Sequence, residues 1–254
     1  MKVLTAKEIH KSYKSKQSCK KAIRLLKDKK ILPLNTSPKL SRIIGHLIGD
    51  GNLSKDVFVG DFRFYGSKHK LIRIRKDIKD IFNIKPKQFY SRKGGFVLKY
   101  NNSVIARSLN IIGVPRGNKV EQSFRVPLWI RKGNSKIKRA FLVAICDDEL
   151  SSPRIDKRGY VEALRLKFNK EEEFIKEGMQ FMEDIRDMLS NFGVKCSNIK
   201  INNSKYISRN NGVNRSIYFN ISSKRGNLIN FADKVGFYNE KEKQDKLLNI
   251  LTHH

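Results

Sequence analysis

Apolar residues recur along this chain at two spacings, one helical and one of period two. Leu40, Ile43, Ile44, Leu47 and Ile48 fall at i, i+3, i+4, i+7 and i+8, a stripe wide enough to bury a helix over residues 38–50. Ser37 supplies its N-cap and Pro38 its first helical position. A second apolar helix is predicted over 135–149 (SKIKRAFLVAICDDE). Period-two stretches predict strands at 57–66, 96–101, 160–169, 197–202 and 215–222. Leu164, Leu166 and Phe168 alternate with Arg165, Lys167 and Asn169, and Ile217, Phe219 and Ile221 alternate with Ser216, Tyr218 and Asn220. Such strands belong to antiparallel sheets with one wet face. After residue 37 the same plan runs twice: an apolar helix ending in a carboxylate, strands, a helix, more strands, another helix and a Lys-x-x-Gln segment. The fold class is therefore α+β, with a first half over 37–134 and a second over 135–254.

Residues 1–36 form a basic helical arm. Thr5 caps a helix through Tyr13, and Ser15 caps another running to about Lys30, with Ala22, Ile23, Leu25 and Leu26 as its apolar stripe. The pair resembles the last two helices of a helix-turn-helix, which would put Lys16, Gln17, Lys20, Lys21 and Arg24 on a groove-reading face. A solvated basic helix packed on the next domain is the alternative. Residues 33–38 (PLNTSP) read as a linker.

Charge narrows the class of partner. The chain has 54 Lys+Arg against 24 Asp+Glu, a net charge of +30, and residues 1–39 alone hold 11 Lys and one Arg against two acids. A polyanion is the expected partner. With 39% hydrophobic residues, 15 Phe and 8 Tyr, a folded core is expected rather than a disordered basic tail. Cys19, Cys146 and Cys196 lack metal-ligand spacing and are odd in number, which fits a reducing compartment. No apolar stretch approaches the ~18 residues of a membrane span, and the N-terminus lacks a signal-peptide core. An intracellular protein of cytoplasm, nucleoid or organelle is expected, without membrane attachment. On the wet strand faces and their ends, Arg63, Tyr65, Lys68, Lys99, Arg165, Lys167, Asn169, Lys170, Tyr218 and Asn220 are candidate DNA contacts, joined by Lys20, Lys21 and Arg24 of the arm.

The first apolar helix carries the chemistry. Gly45 and Gly49 each cost about 1 kcal/mol relative to Ala in a helix, so they point to close backbone approach. Asp50 faces the negative end of the helix dipole, a penalty of about 0.3–1 kcal/mol, so a positive group should stand beside it. In the second helix Ala144 matches Gly45, and Glu149 matches Asp50. If the two helices pack along their small positions, both acids emerge at one end. Two such carboxylates call for a divalent cation, and hard oxygen ligands favour Mg²⁺, with Mn²⁺ able to substitute. Candidate metal-holding residues are Asp50 and Glu149, with Gly49 and Asp148; Asp147 could add a ligand. His46 reads as a packed histidine rather than a ligand.

Residues 43–51 (IIGHLIGDG) resemble the nine-residue signature of LAGLIDADG homing endonucleases, and 141–149 (FLVAICDDE) resemble a second copy. The resemblance covers about residues 38–250. It implies two pseudo-symmetric αββαββα halves whose antiparallel sheets form a DNA saddle, in a monomer that cuts both strands of a long duplex. It also implies basic residues that help activate water. The shared Lys-x-x-Gln segments assign these to Lys119 and Lys241. The resemblance further implies a polar residue at a strand end of each half that orders water, here Lys68 and Lys170. The second copy departs from the signature at Leu150, where the family has a glycine suited to a left-handed cap. That change could distort one active site. The expected activity is site-specific, Mg²⁺-dependent hydrolysis of double-stranded DNA. The alternative is a non-cleaving regulator of DNA, or a maturase whose partner is intron RNA. The starting Met and the absence of intein splice residues point to a free-standing or intron-encoded protein.

Overall fold

A computed structural model describes residues 1–207 and 212–253. It divides into two compact units, Met1–Gly117 with Pro127–Phe141, and Asn118–Val126 with Leu142–His254.

The first unit opens with β1 (Lys2–Leu4), α1 (Ala6–Ser12), α2 (Lys16–Asp28) and β2 (Leu34–Asn35). Thr5 closes a capping box on α1 with Glu8, and the Ser15 hydroxyl accepts from the Ser18 amide at the start of α2. The stretch expected to be a linker contains β2, which pairs antiparallel with β1 and so ties the arm down. Then follow α3 (Pro38–Ile48), β3 (Asn52–Leu53), β4 (Asp61–Gly66), α4 (Lys68–Phe82), β5 (Gln88–Arg92), β6 (Gly95–Asn101), α5 (Ser103–Ile111), α6 (Leu128–Arg131) and α7 (Ser135–Glu149), the last crossing into the second unit. The strands form an antiparallel sheet in the order β3-β4-β6-β5. Phe62 stacks on Tyr100 across the β4–β6 pair at 5.0 Å, and with Phe64 and Leu98 they bury one face under Leu71, Ile74 and Ile78 of α4. Each such side chain contributes about 1.5–3 kcal/mol on burial. The opposite face carries Arg63, Tyr65 and Lys99. β4 starts at 61 rather than 57 because Asp56 accepts the Phe58 amide in a turn, leaving residues 57–59 exposed.

The second unit contains β7 (Leu164–Glu171), α8 (Ile175–Ser190), β8 (Lys200–Ile201), β9 (Tyr206–Ile207), β10 (Val213–Ile221), α9 (Arg225–Lys234) and α10 (Lys241–His253). Among the described residues its antiparallel sheet has the order β7-β10-β8, with β9 also on β10. Leu164, Leu166, Phe168, Ile217, Phe219 and Ile221 face its core. β7 starts later than expected, because Asp156 accepts the Arg158 and Tyr160 amides in a turn before it.

Candidate active site

Helix α3 ends where its glycines let it. Gly49 leaves helical geometry at φ −69°, ψ −118°, while its amide still reaches the Gly45 carbonyl at 2.8 Å. The Gly51 amide then returns to the His46 carbonyl at 2.7 Å. A Cβ at Gly51 would lie 2.6 Å from the His46 oxygen, 2.7 Å from the Leu47 Cα and 3.0 Å from the Arg63 oxygen. Close packing against the last turn of α3 itself, and against β4 behind it, rather than a left-handed cap, therefore demands this glycine. Asp50 is left outside the helix with 45% of its side chain exposed, and Lys70 Nζ stands 3.3 Å from its Oδ2. This is the positive group the dipole argument requires. Lys70 is itself only 1% exposed, in the first turn of α4. It fits because Gly66, at φ +147°, leaves room: a Cβ there would meet Lys70 Cδ at 2.7 Å.

A cavity of about 370 Å³ opens in front of Asp50, lined also by Tyr65, Gly66, Arg92, Lys93 and Phe96. Arg92 lies over the Tyr65 ring at 5.5 Å. An acid at the floor of a basic hairpin can hold a cation on one side and a phosphate on the other. Beyond the cavity, Asp61 Oδ2 accepts Lys99 Nζ at 2.8 Å and Arg63 at 3.2 Å, and Oδ1 accepts Asn101 at 2.7 Å. Burial would raise the Asp61 carboxyl, but the Lys99 and Arg63 cations outweigh it and hold the group below the ordinary carboxylate range. Two expected DNA contacts are thus already oriented by an acid. Lys68 is exposed at the first position of α4.

In the second unit α7 remains helical through Glu149. Leu150 does not end it as Gly51's neighbourhood ends α3: its amide reaches Cys146 at 3.2 Å, and its side chain is buried, opposite Leu166. Asp147 is not a candidate ligand here. It is 2% exposed, and its carboxylate accepts the Tyr238 and Asn239 amides at 3.0 Å each and the Asn239 side chain at 2.9 Å. Asp148 and Glu149 are half-buried. Lys241 stands exposed at the first position of α10, whereas Lys243 Nζ donates to the carbonyls of Asp147 at 2.9 Å and Leu150 at 2.7 Å. Gln244 accepts the Phe237 amide, so the second Lys-x-x-Gln folds its own loop.

Lys119 belongs to the second unit, not to the first half in which its motif lies in sequence. Its segment is docked by Lys170, whose Nζ donates to the carbonyls of Lys119 and Gln122, both at 2.6 Å, and lies 4.0 Å over the Phe124 ring. Arg125 adds a two-pronged pair with Asp184 at 2.6 and 2.9 Å. Lys170 is therefore no surface contact: it is 1% exposed, on the core side of β7 with Phe168. Burial pushes its ammonium down to about 8, against the attraction of Glu177 and helped by Lys119. Gly178 of α8 leaves it room, since a Cβ there would meet Lys170 Cγ at 2.8 Å.

The wet face of this sheet carries the other expected contacts. Arg165 lies over Tyr218 at 4.4 Å and donates to Asn220 at 3.1 Å; Asn169 accepts from Ser216; Lys167 is exposed. In the arm, Lys20, Lys21 and Arg24 are exposed on α2, opposite buried Cys19, Ala22 and Leu26. Sequence reasoning missed Lys70, Lys243 and the Tyr65–Arg92 pair. Among the described residues no three His, Cys, Asp or Glu side chains cluster as a metal site, and no helix is long and apolar enough to cross a membrane.

No protein-family profile matches the sequence. In structure, the chain is similar to I-DmoI in complex with DNA and Ca, with a TM-score of 0.50, 18% identity and coverage of 85% of this chain and 98% of that one. Its fold is thus that of the LAGLIDADG homing endonucleases. In sequence it is 28% identical over 219 residues to the DNA-directed RNA polymerase subunit Rpo1N of Methanocaldococcus jannaschii, covering 78% of this chain and 16% of that protein. It is likewise 28% identical over 252 residues to the tRNA-splicing ligase RtcB of Pyrococcus furiosus, covering 89% of this chain and 24% of that protein. A third relative, the replication factor C small subunit of M. jannaschii, is 29% identical over 215 residues, covering 78% of this chain and 12% of that protein. The chain spans a quarter or less of each of these relatives.

Proposed function

We propose that the chain is a homing-type endonuclease that binds a long DNA duplex and hydrolyses a phosphodiester on each strand. The observation that carries this reading is Asp50: a half-exposed carboxylate at the end of a buried helix, braced by a buried lysine, facing a cavity rimmed by Arg92 and Lys93. A helix kept only for packing gains nothing from an acid there. The relatives support it from another direction. A polymerase subunit, an RNA ligase and a replication factor share with this chain only a minor segment, so the likeness follows a module and not their separate activities.

The donor set fits a divalent cation. The Asp50 oxygens are hard ligands, and about 370 Å³ of adjoining space accommodates a hydrated ion with a phosphate. Mg²⁺, held by Asp50 in one half and by Glu149 in the other, would supply water activation and stabilise the leaving oxygen. Asp50 would hold the ion, Lys70 would orient that carboxylate, and Arg92 and Lys93 would grip the phosphate. Lys119 is the candidate base-assisting lysine, and Gly49 and Asp148 are neighbouring candidates for the metal site. Arg63, Tyr65, Lys99, Arg165, Lys167, Asn169, Tyr218 and Asn220 would read the duplex from the wet sheet faces. Lys20, Lys21 and Arg24 would add contacts from the arm.

A randomised duplex library incubated with Mg²⁺ or Mn²⁺ tests the reading. Cutting at one preferred long site is expected, and Asp50→Asn should abolish it while leaving affinity within a few-fold. Specific binding with no cutting in either metal would overturn the nuclease and leave a non-cleaving DNA binder.

A further inference from the structure

Each acid has a lysine at the end of its helix, and the one at the end of α7 lies outside the signature. Asp50 meets its lysine directly, through Lys70 Nζ on Oδ2. Glu149 sits between two carbonyls, of Asp147 and Leu150, that both accept Lys243 Nζ at 2.9 and 2.7 Å. The loop before α10 fills the Asp147 carboxylate with three N–H donors, from Tyr238 and Asn239, and Gln244 pins that loop through the Phe237 amide. Leu150 takes the place of Gly51, and α7 stays helical through its acid, so the carbonyls that Lys243 caps are those at the end of the helix bearing Glu149. The C-terminal carbonyls of a helix repel a carboxylate, and an ammonium seated on them offsets that repulsion. We infer that Lys243 is a positioning residue for Glu149: it neutralises the end of α7 and sets the direction in which the acid leaves the helix. This rests on Glu149 being the second active-site acid.

The test cuts a duplex labelled separately on each strand. Glu149→Gln identifies the strand that the second acid serves. Lys243→Met should slow cutting of that same strand at least tenfold, keep the other strand within twofold and keep DNA affinity within twofold. Lys243→Arg should recover most of the loss. Equal slowing of both strands, or no slowing, in a variant that melts like the parent would overturn the inference. If the parent protein cuts neither strand, the nuclease reading fails on its own, and the inference is then read by amide hydrogen exchange. Lys243→Met should lower protection of residues 149–151 at least tenfold while leaving α8 unchanged. Unchanged protection there would overturn it.

Discussion

At the scale of single residues, three lysines hold this protein's candidate chemistry in place. Lys70 sits four and eight residues before Ile74 and Ile78, Lys243 sits four and seven before Leu247 and Ile250, and Lys170 shares strand parity with Leu164, Leu166 and Phe168. In each case periodicity asks for an apolar residue and the chain supplies an amine. That signal was legible in the sequence, yet composition concealed it, because 54 basic residues make any one lysine look like surface. Parity alone was enough to move Lys170 off the wet face of the sheet. A charge buried at this cost has a measurable signature. The folded-state value for Lys170 is about 8 against an ordinary 10.5, so between those values the unfolded chain binds more protons, and stability rises with pH. Compared with Lys170→Met, the parent should gain up to ~3 kcal/mol from about pH 8 to 10.5, measured by urea denaturation. The neutral amine still donates to both carbonyls, so the docked segment survives the change. Gly51→Ala is the complementary test. Its Cβ would press on backbone atoms that cannot swing aside, so we expect a loss of about 1–3 kcal/mol. Under the proposed nuclease reading, a steeper fall in cutting of the strand assigned to Asp50 should accompany it.

At the scale of elements, α3 and α7 show what a sequence gives up easily and what it withholds. Their positions follow from caps and apolar spacing, and α7 occupies the expected span. Their endings do not follow, because each depends on a partner distant in sequence: β4 for α3, and for α7 the loop before α10 together with Lys243 in the first turn of α10. The same reason explains the strands. The longer β4, β6, β7 and β10 alternate strongly and were readable, whereas two-residue β2, β3, β8 and β9 exist only through pairing with neighbours. The segment bearing Lys119 is the clearest case. Its motif placed it in the first half, but Phe124 packed 4.9 Å from Phe181, the Arg125–Asp184 pair and the Lys170 ammonium bind it to the second unit.

At the scale of the whole molecule, the +30 charge separates into an arm, two wet sheet faces and a basic hairpin. If six or more phosphates are neutralised, affinity should fall about 10³-fold or more between 50 and 200 mM salt. Replacing Lys20, Lys21 and Arg24 together with Ala should reduce the slope of log K against log salt by up to ~2.7, measured by fluorescence anisotropy. An unchanged slope would assign the arm's exposed face to solvent alone.

One small exchange bears on how the two halves can be handled. In the first unit the strand gives up its side chain at Gly66 and the helix supplies Lys70; in the second the strand supplies Lys170 and the helix gives way at Gly178. Each amine and its vacancy are a matched pair split between a strand and the helix that follows it. A chimera joining β4 to α8 would bring two vacancies together and leave a hole, while one joining β7 to α4 would crowd two ammonium groups into one space. For anyone recombining these halves, strand and helix form one indivisible cassette, and a crossover placed between them removes the brace as well as the fit.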